Sequence, residues 1–215
     1  MASPPQDPRP PELAPLFLKL AGRKVLVVGG GPMAAAKLAQ LAGTGALLSV
    51  VAPEVRPEIV ASGVPVACRP FRPEDLDGAW LVIAAAPPEV NREVAAAAEA
   101  ARVFVVAVDD PPSASAYGAG TLRRAGVTIA ISTSGDAPAL TGLIREALDA
   151  LLPDSAELTR WFDVARAARA EWKARLVPMA ERRPLLLRKL FHLYESRTTP
   201  VPAAPTSSAS LGATP

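Results

Sequence analysis

Cysteine and histidine are almost missing from this sequence: Cys68 and His192 stand alone in 215 residues. One cysteine excludes an internal disulfide, and one Cys with one His falls short of any set that holds zinc or an iron–sulfur cluster. No resident metal is therefore expected, and a reduced cytoplasm is the compartment implied. Aromatics are scarce at 5%, while half of the residues are hydrophobic, mostly Ala, Val and Leu. That balance suits helices packed on a parallel sheet better than a barrel or a sandwich. Charge of one sign is lacking too. A net charge of +2, with no Lys/Arg run interleaved with aromatics, gives no case for nucleic acid. No apolar run reaches the roughly 18 residues a membrane-spanning helix needs. The proline-rich start, with Pro4, Pro5, Pro8, Pro10 and Pro11, has no apolar h-region of a signal peptide.

What is present alternates. Lys24–Val28 is a continuous apolar run; three glycines follow, then a helical stretch Pro32–Leu41, then the β-branched run Leu47–Val51. Val64–Cys68, Trp80–Ala84 and Val103–Val108 are further strand candidates, and Glu89–Arg102 is an Ala-rich helix between the last two. Strands buried on both faces explain why these runs do not alternate with polar residues. Beyond Asp109-Asp110-Pro111-Pro112 the character changes, and Tyr117–Arg124 with Val127–Ser132 is predicted as a hairpin around Ala125-Gly126. Ala137–Leu151 then puts Leu140, Leu143, Ile144, Ala147, Leu148 and Leu151 on one helical face. Asp154 and Glu157 open a helix with Leu158, Trp161, Phe162, Ala165 and Trp172, which Pro178 ends; Pro184 opens the last helix, through Leu193. The expected organisation is a Rossmann-type parallel-sheet domain over 13–112, a hairpin-helix segment over 113–152 and a small helical domain over 153–196. Unstructured tails over 1–12 and 197–215 complete it.

Gly29-Gly30-Gly31-Pro32-Met33-Ala34 matches G-x-G-x-x-A directly after a strand and opening a helix, the context a dinucleotide fingerprint requires. The first glycine permits the tight turn, the second lets the backbone approach a pyrophosphate, and the small Ala34 lets helix and strand pack closely. Free amides and the helix dipole then face the anion. The bland alternative is a plain strand-to-helix turn. Strand two ends at Val51-Ala52-Pro53 with no acid to grip the ribose; Glu54 could substitute, and Arg56 could instead favour a 2′-phosphate, so NAD is preferred over NADP without being derived.

Asp109 and Asp110 follow the last strand at the carboxyl edge of the sheet, where ligands bind in open α/β folds. They could act as a base, guide an entering divalent metal, or simply form a polar turn before the next segment. Ser132, Thr133 and Ser134, with Gly135 and Asp136, precede a helix and could bind a carboxylate; alternatively Ser134 or Asp136 caps that helix. Trp161, Phe162 and Trp172 fit core or dimer packing. Cys68 fits a buried small apolar position, and His192 a packed one. Between Trp161 and Arg197 there are nine Lys/Arg against four Asp/Glu, open to an anionic partner or to a solvated helix face.

In order along the chain stand Pro15-Leu16-Phe17-Leu18-Lys19-Leu20, Gly22–Gly31, Val50-Val51-Ala52-Pro53-Glu54, Leu81–Ala86, Glu89-Val90-Asn91, Val108-Asp109-Asp110-Pro111, Ile129–Gly135 and Ala137-Pro138-Ala139-Leu140. Together they resemble the precorrin-2 dehydrogenase family, the N-terminal module of siroheme synthases, some of which are also sirohydrochlorin ferrochelatases. The resemblance implies NAD as cofactor, oxidation of precorrin-2 to sirohydrochlorin, and in bifunctional members insertion of Fe2+. It implies a homodimer built on the 113–152 segment, and a small helical domain closing the tetrapyrrole site. It assigns Asp109 as the functional aspartate, places Pro32, Met33, Pro53, Glu54 and Ala85 beside the cofactor, and puts Thr133 in a serine-rich turn. The substrate's many carboxylates would give Arg123 and Arg124 a partner. Over Ser113–Gly120 the chain departs from the family's Cys/Ser-Asn-Phe-Ile-x-Pro segment. A rival reading is a dimeric NAD-sensing regulatory module without catalysis. A short-chain dehydrogenase is disfavoured, because Tyr117 lacks a lysine four residues on.

Overall fold

A computed structural model describes residues 13–195 except Asp109, with side chains through Phe191. The expectations for 1–12, Asp109, the side chain of His192 and 196–215 lie outside the described residues. Within them the chain divides into two compact units. The first runs to Leu122 and takes in Ile129–Ala150; the second takes Arg123–Thr128 and continues from Leu151.

The first unit is built on five parallel strands: β1 (Lys24–Val28), β2 (Leu47–Val51), β3 (Val66–Ala67), β4 (Ala79–Ala84) and β5 (Phe104–Ala107), in the order β3-β2-β1-β4-β5. Helices α1 (Pro32–Leu41), α2 (Pro57–Ala61) and α3 (Pro88–Ala101) make the crossovers. Each strand has two buried faces. Leu26, Val28, Val82, Ala84 and Val105 pack with Val94 and Ala98 of α3 on one side. Val25, Val27, Val50, Leu81 and Ile83 pack with Ala34 and Leu38 of α1 and Ile59 of α2 on the other. These two layers are why the strands are apolar throughout.

Three local features differ from the sequence expectation. The third strand has only two residues, so Cys68 falls past its end at the sheet edge and is exposed, not buried. The short α2 and the 3-10 turn Pro73–Leu76 were not foreseen, being too brief to show a period. The turn is held by Asp75, which accepts both nitrogens of the Arg69 guanidinium, at 2.9 and 2.6 Å, and the amide of Arg72 at 2.9 Å.

Still in the first unit begins the hairpin β6 (Gly120–Arg124) and β7 (Val127–Ile131), followed by α4 (Pro138–Leu151). Ala125 and Gly126 both take positive φ, 43° and 86°, the turn whose twist matches two antiparallel strands. No residue of α4 is buried. Leu143 is 64% exposed and Leu151 72%, so its apolar stripe has no partner among the described residues.

In the second unit α5 (Ser155–Ala174) starts at Asp154, whose carboxylate accepts the Glu157 amide at 2.8 Å. It is in contact with α6 (Met179–Glu195), and Leu158, Ala168 and Trp172 of α5 and Leu190 of α6 are buried. The last helix opens at Met179 and not at Pro184, because the Pro178 carbonyl already accepts the Glu181 amide and Arg182 ties back to the Val177 carbonyl. Pro184 sits in the second turn, inside the helix, where it lacks the N–H for a bond to the Ala180 carbonyl and its ring crowds that carbonyl. No helix of the described residues is long and apolar enough to cross a membrane.

The Asp75 cluster makes a pH prediction. Arg69 beside it, with the Arg72 amide, holds the Asp75 carboxyl below the usual carboxylate range. A folded-state pKa below the unfolded one stabilises above the unfolded value, about 4, and that contribution is lost as pH falls through the depressed value. Asp75→Asn should therefore lower Tm at neutral pH, and the gap to the parent chain should close on acidification below about pH 4. A gap independent of pH in thermal melts would show that the carboxylate's charge is not involved.

Candidate functional site

In an open parallel sheet the ligand crevice lies outside the carboxyl ends of the strands where the order reverses, here between β1 and β4. The glycine turn enters that crevice directly. Gly29 has φ of 125°, and a Cβ there would collide with the Ala85 carbonyl. At Gly30 a Cβ would collide with the Glu54 carbonyl, and the Gly30 carbonyl in turn accepts the Arg56 amide at 2.9 Å. Gly31 is different, with open space where its Cβ would stand. Pro32 occupies the first turn of α1, where its missing N–H is no loss. The first bond into the helix runs from the Ala35 amide to the Gly31 carbonyl at 3.1 Å. Among the described residues the amides of Gly30, Gly31, Met33 and Ala34 have no partner. Open space at Gly31, free amides and a helix N-terminus fit a diphosphate.

Two cavities flank this turn. One of about 460 Å³ is lined by Gly29, Gly30, Gly31, Pro53, Glu54, Pro70, Phe71, Ala85, Ala86 and Val90. The other, about 430 Å³, is lined by Met33, Ala85, Ala86, Pro88, Asn91, Val108 and Asp110. They share Ala85 and Ala86. Each is of the size that takes half of a dinucleotide-sized ligand. Arg56 lines neither, and its guanidinium is paired with Glu58 at 3.0 Å.

The structure also brings the serine turn to the aspartate segment. A Cβ on Gly135 would lie 3.1 Å from Pro111, and the Tyr117 hydroxyl donates to the Pro111 carbonyl at 3.3 Å. The residue on the first amide ahead of α4 is Thr133, not Ser134 or Asp136: its Oγ1 accepts the Ala137 amide at 3.3 Å and meets the Thr141 hydroxyl at 3.1 Å. Ser134 instead takes a left-handed φ of 55° and donates its amide to the Ser132 hydroxyl at 3.1 Å.

Asp109 lies outside the described residues; Val108 and Asp110, its neighbours in sequence, both line the second cavity. Arg123 and Arg124 belong to the other compact unit. The Arg124 guanidinium donates to the Leu152 and Pro153 carbonyls at 2.9 and 3.1 Å, a task at the end of α4. Two residues went unweighed in the sequence. Asn91 is buried at the cavity wall. Lys37, one turn beyond Met33 on α1, is half-buried with its Nζ 3.1 Å from where a Gly118 Cβ would stand, and has no hydrogen-bond or ion-pair partner among the described residues. A free cation one helical turn past a glycine loop could have been noticed from spacing alone.

The fold and the turn define a dinucleotide-binding α/β protein, and a family model described as putative NAD(P)-binding matches residues 16–119. The chain is 41% identical over 174 residues to siroheme synthase 3 of Aeromonas hydrophila and 42% identical over 174 residues to the siroheme synthase of Photorhabdus laumondii. Each alignment covers 79% of this chain and 37% of the relative, so the chain spans little more than a third of the length of those relatives. A solved structure, SirC, precorrin-2 dehydrogenase, superposes with a TM-score of 0.61 at 26% identity, covering 82% of this chain and 88% of that one. The chain is thus similar to a part of these siroheme synthases and, over most of its length, to a precorrin-2 dehydrogenase.

The glycines make separable predictions. Gly30→Ala should destabilise the fold by about 1–3 kcal/mol, because the added methyl meets backbone and not a yielding side chain. Gly31→Ala should leave Tm unchanged while weakening dinucleotide binding, measured by calorimetry. Equal binding by the parent chain and Gly31→Ala would remove the diphosphate from this turn.

Proposed function

We propose that this chain oxidises precorrin-2 to sirohydrochlorin with NAD+ as hydride acceptor, releasing NADH and a proton. The observation that carries the reading is the pair of cavities joined at Ala85-Ala86 across the glycine turn, in a chain whose relatives are siroheme synthases. NAD+, once bound, supplies the two-electron acceptor. The protein's own part is orientation: the Gly30–Ala34 amides hold the diphosphate, Pro53 and Glu54 border the adenosine side, and Pro32, Met33 and Ala85 border the turn to the other half. NAD is favoured over NADP because Arg56, the nearest candidate for a 2′-phosphate, already holds Glu58. Such fixed geometry supplies several kcal/mol of barrier lowering on its own, about 7 or more in well-oriented cases.

Asp109 is assigned as the base that takes the proton, supported by its place between two cavity-lining residues. Ser132, Thr133 and Ser134 are assigned to substrate carboxylates, with Arg123 and Arg124 as cationic partners, and Fe2+ insertion is a second activity of the same site. We assign 13–112 to cofactor binding, 113–152 to dimerisation and 153–196 to closure over the tetrapyrrole, in a soluble cytoplasmic enzyme. The unpartnered apolar stripe of α4 supports the homodimer, since contiguous exposed apolar surface marks an interaction site.

An anaerobic assay with precorrin-2 and NAD+ tests the reading. Sirohydrochlorin absorbance should develop, and Asp109→Ala should reduce its rate by about 100-fold or more, the usual worth of general-base help. NAD binding without turnover would point instead to a sensing module. For assembly, Leu143→Glu should convert a sedimenting dimer into a monomer; a dimer that persists would move the interface elsewhere.

A further inference from the structure

Among the described residues Asn91 is the only polar or charged one that is buried, at 3% exposure. It stands in the first turn of α3, and its Oδ1 accepts the Ala86 amide at 2.9 Å. That bond settles which way the carboxamide points, because only the oxygen end can face a backbone N–H. The Nδ2 end, with two donors, is left without a partner among the described residues. It is also not among the side-chain nitrogens sealed from solvent without a partner. Asn91 lines the cavity bounded by Met33, Ala85, Val108 and Asp110. A buried amide whose donors end at a cavity wall costs free energy unless something in the cavity accepts from it.

We infer that the Asn91 side-chain NH2 donates to an oxygen of the nicotinamide-ribose half of the dinucleotide and so sets the position of that half; this rests on the cofactor reading above. The cavity adjoins, through Ala85 and Ala86, the one that takes the adenosine side. A dinucleotide whose diphosphate lies on the Gly31 amides therefore reaches it with ribose hydroxyls and a carboxamide oxygen, all neutral acceptors. A polycarboxylate is the poorer occupant of that wall. Among the described residues the lining includes no cation, and Asp110 would repel a carboxylate.

The experiment compares ADP with NAD+ on the full chain by calorimetry, since ADP fills only the adenosine and diphosphate positions. Asn91→Asp keeps an acceptor for the Ala86 amide and removes the donors. The ADP dissociation constant should stay within about twofold while that of NAD+ rises about tenfold, the worth of one buried hydrogen bond. Parallel loss of both ligands would make Asn91 a support for the Ala86 turn alone and overturn the proposal, as would loss of neither. If the unsubstituted chain binds neither ligand, the cofactor reading fails together with this one. Should Asn91→Asp not fold, the unsubstituted chain gives an independent readout: the Asn91 side-chain NH2 resonances should move with NAD+ and not with ADP. Resonances that stay in place with NAD+ would also overturn it.

Discussion

The site depends on one steric constraint, the absence of room for side chains where the turn after β1 threads between its neighbours. The Ala85 carbonyl crowds Gly29 from β4, and the Glu54 carbonyl crowds Gly30 from the far end of β2. Both contacts follow from the strand order, which puts β1 between β2 and β4 so that two other strand ends converge on its tip. Because the turn is squeezed on both sides, its amides are held toward the crevice instead of folding back on the sheet. Gly31 alone is unencumbered, and it is the position where open space helps a ligand.

Much of this was legible from pattern. Long apolar runs bounded by glycine and proline identify buried parallel strands because both sheet faces are covered, and β1, β2, α1 and the Ala125-Gly126 turn stand where their composition puts them. The fingerprint's first and third glycines carry known tasks, but the need for glycine at Gly30 is not visible in it, since the obstacle is a carbonyl twenty-four residues away. Cys68 was misjudged for a related reason. Its apolar neighbours suggest a strand interior, whereas strand length is set by how far β3 keeps pairing with β2, two residues only.

Side chains at helix ends illustrate a different gap. Thr133 and Arg124 both carry groups that could serve a ligand, and both already have backbone partners, the Ala137 amide for one and the Leu152 and Pro153 carbonyls for the other. Local sequence shows that a helix end needs a donor or acceptor, yet not which of several nearby groups supplies it. A turn with Ser134 in left-handed backbone decides in favour of Thr133, by bringing its hydroxyl rather than that of Ser134 under the Ala137 amide.

Charge placement separates the two kinds of position more sharply than burial does. The Asp75–Arg69 and Glu171–Lys189 pairs tie elements together within their own units and leave nothing over. Lys37 and the donor end of Asn91 are the reverse, polar groups on the sheet side of α1 and α3 that the fold positions and does not satisfy. An accepted hydrogen bond from either would be worth about 0.5–1.5 kcal/mol. The donor end of Asn91 stands at the wall of the crevice, and with the fold's other described polar side chains largely committed to each other or to solvent, it is the feature that a ligand with oxygen acceptors would explain.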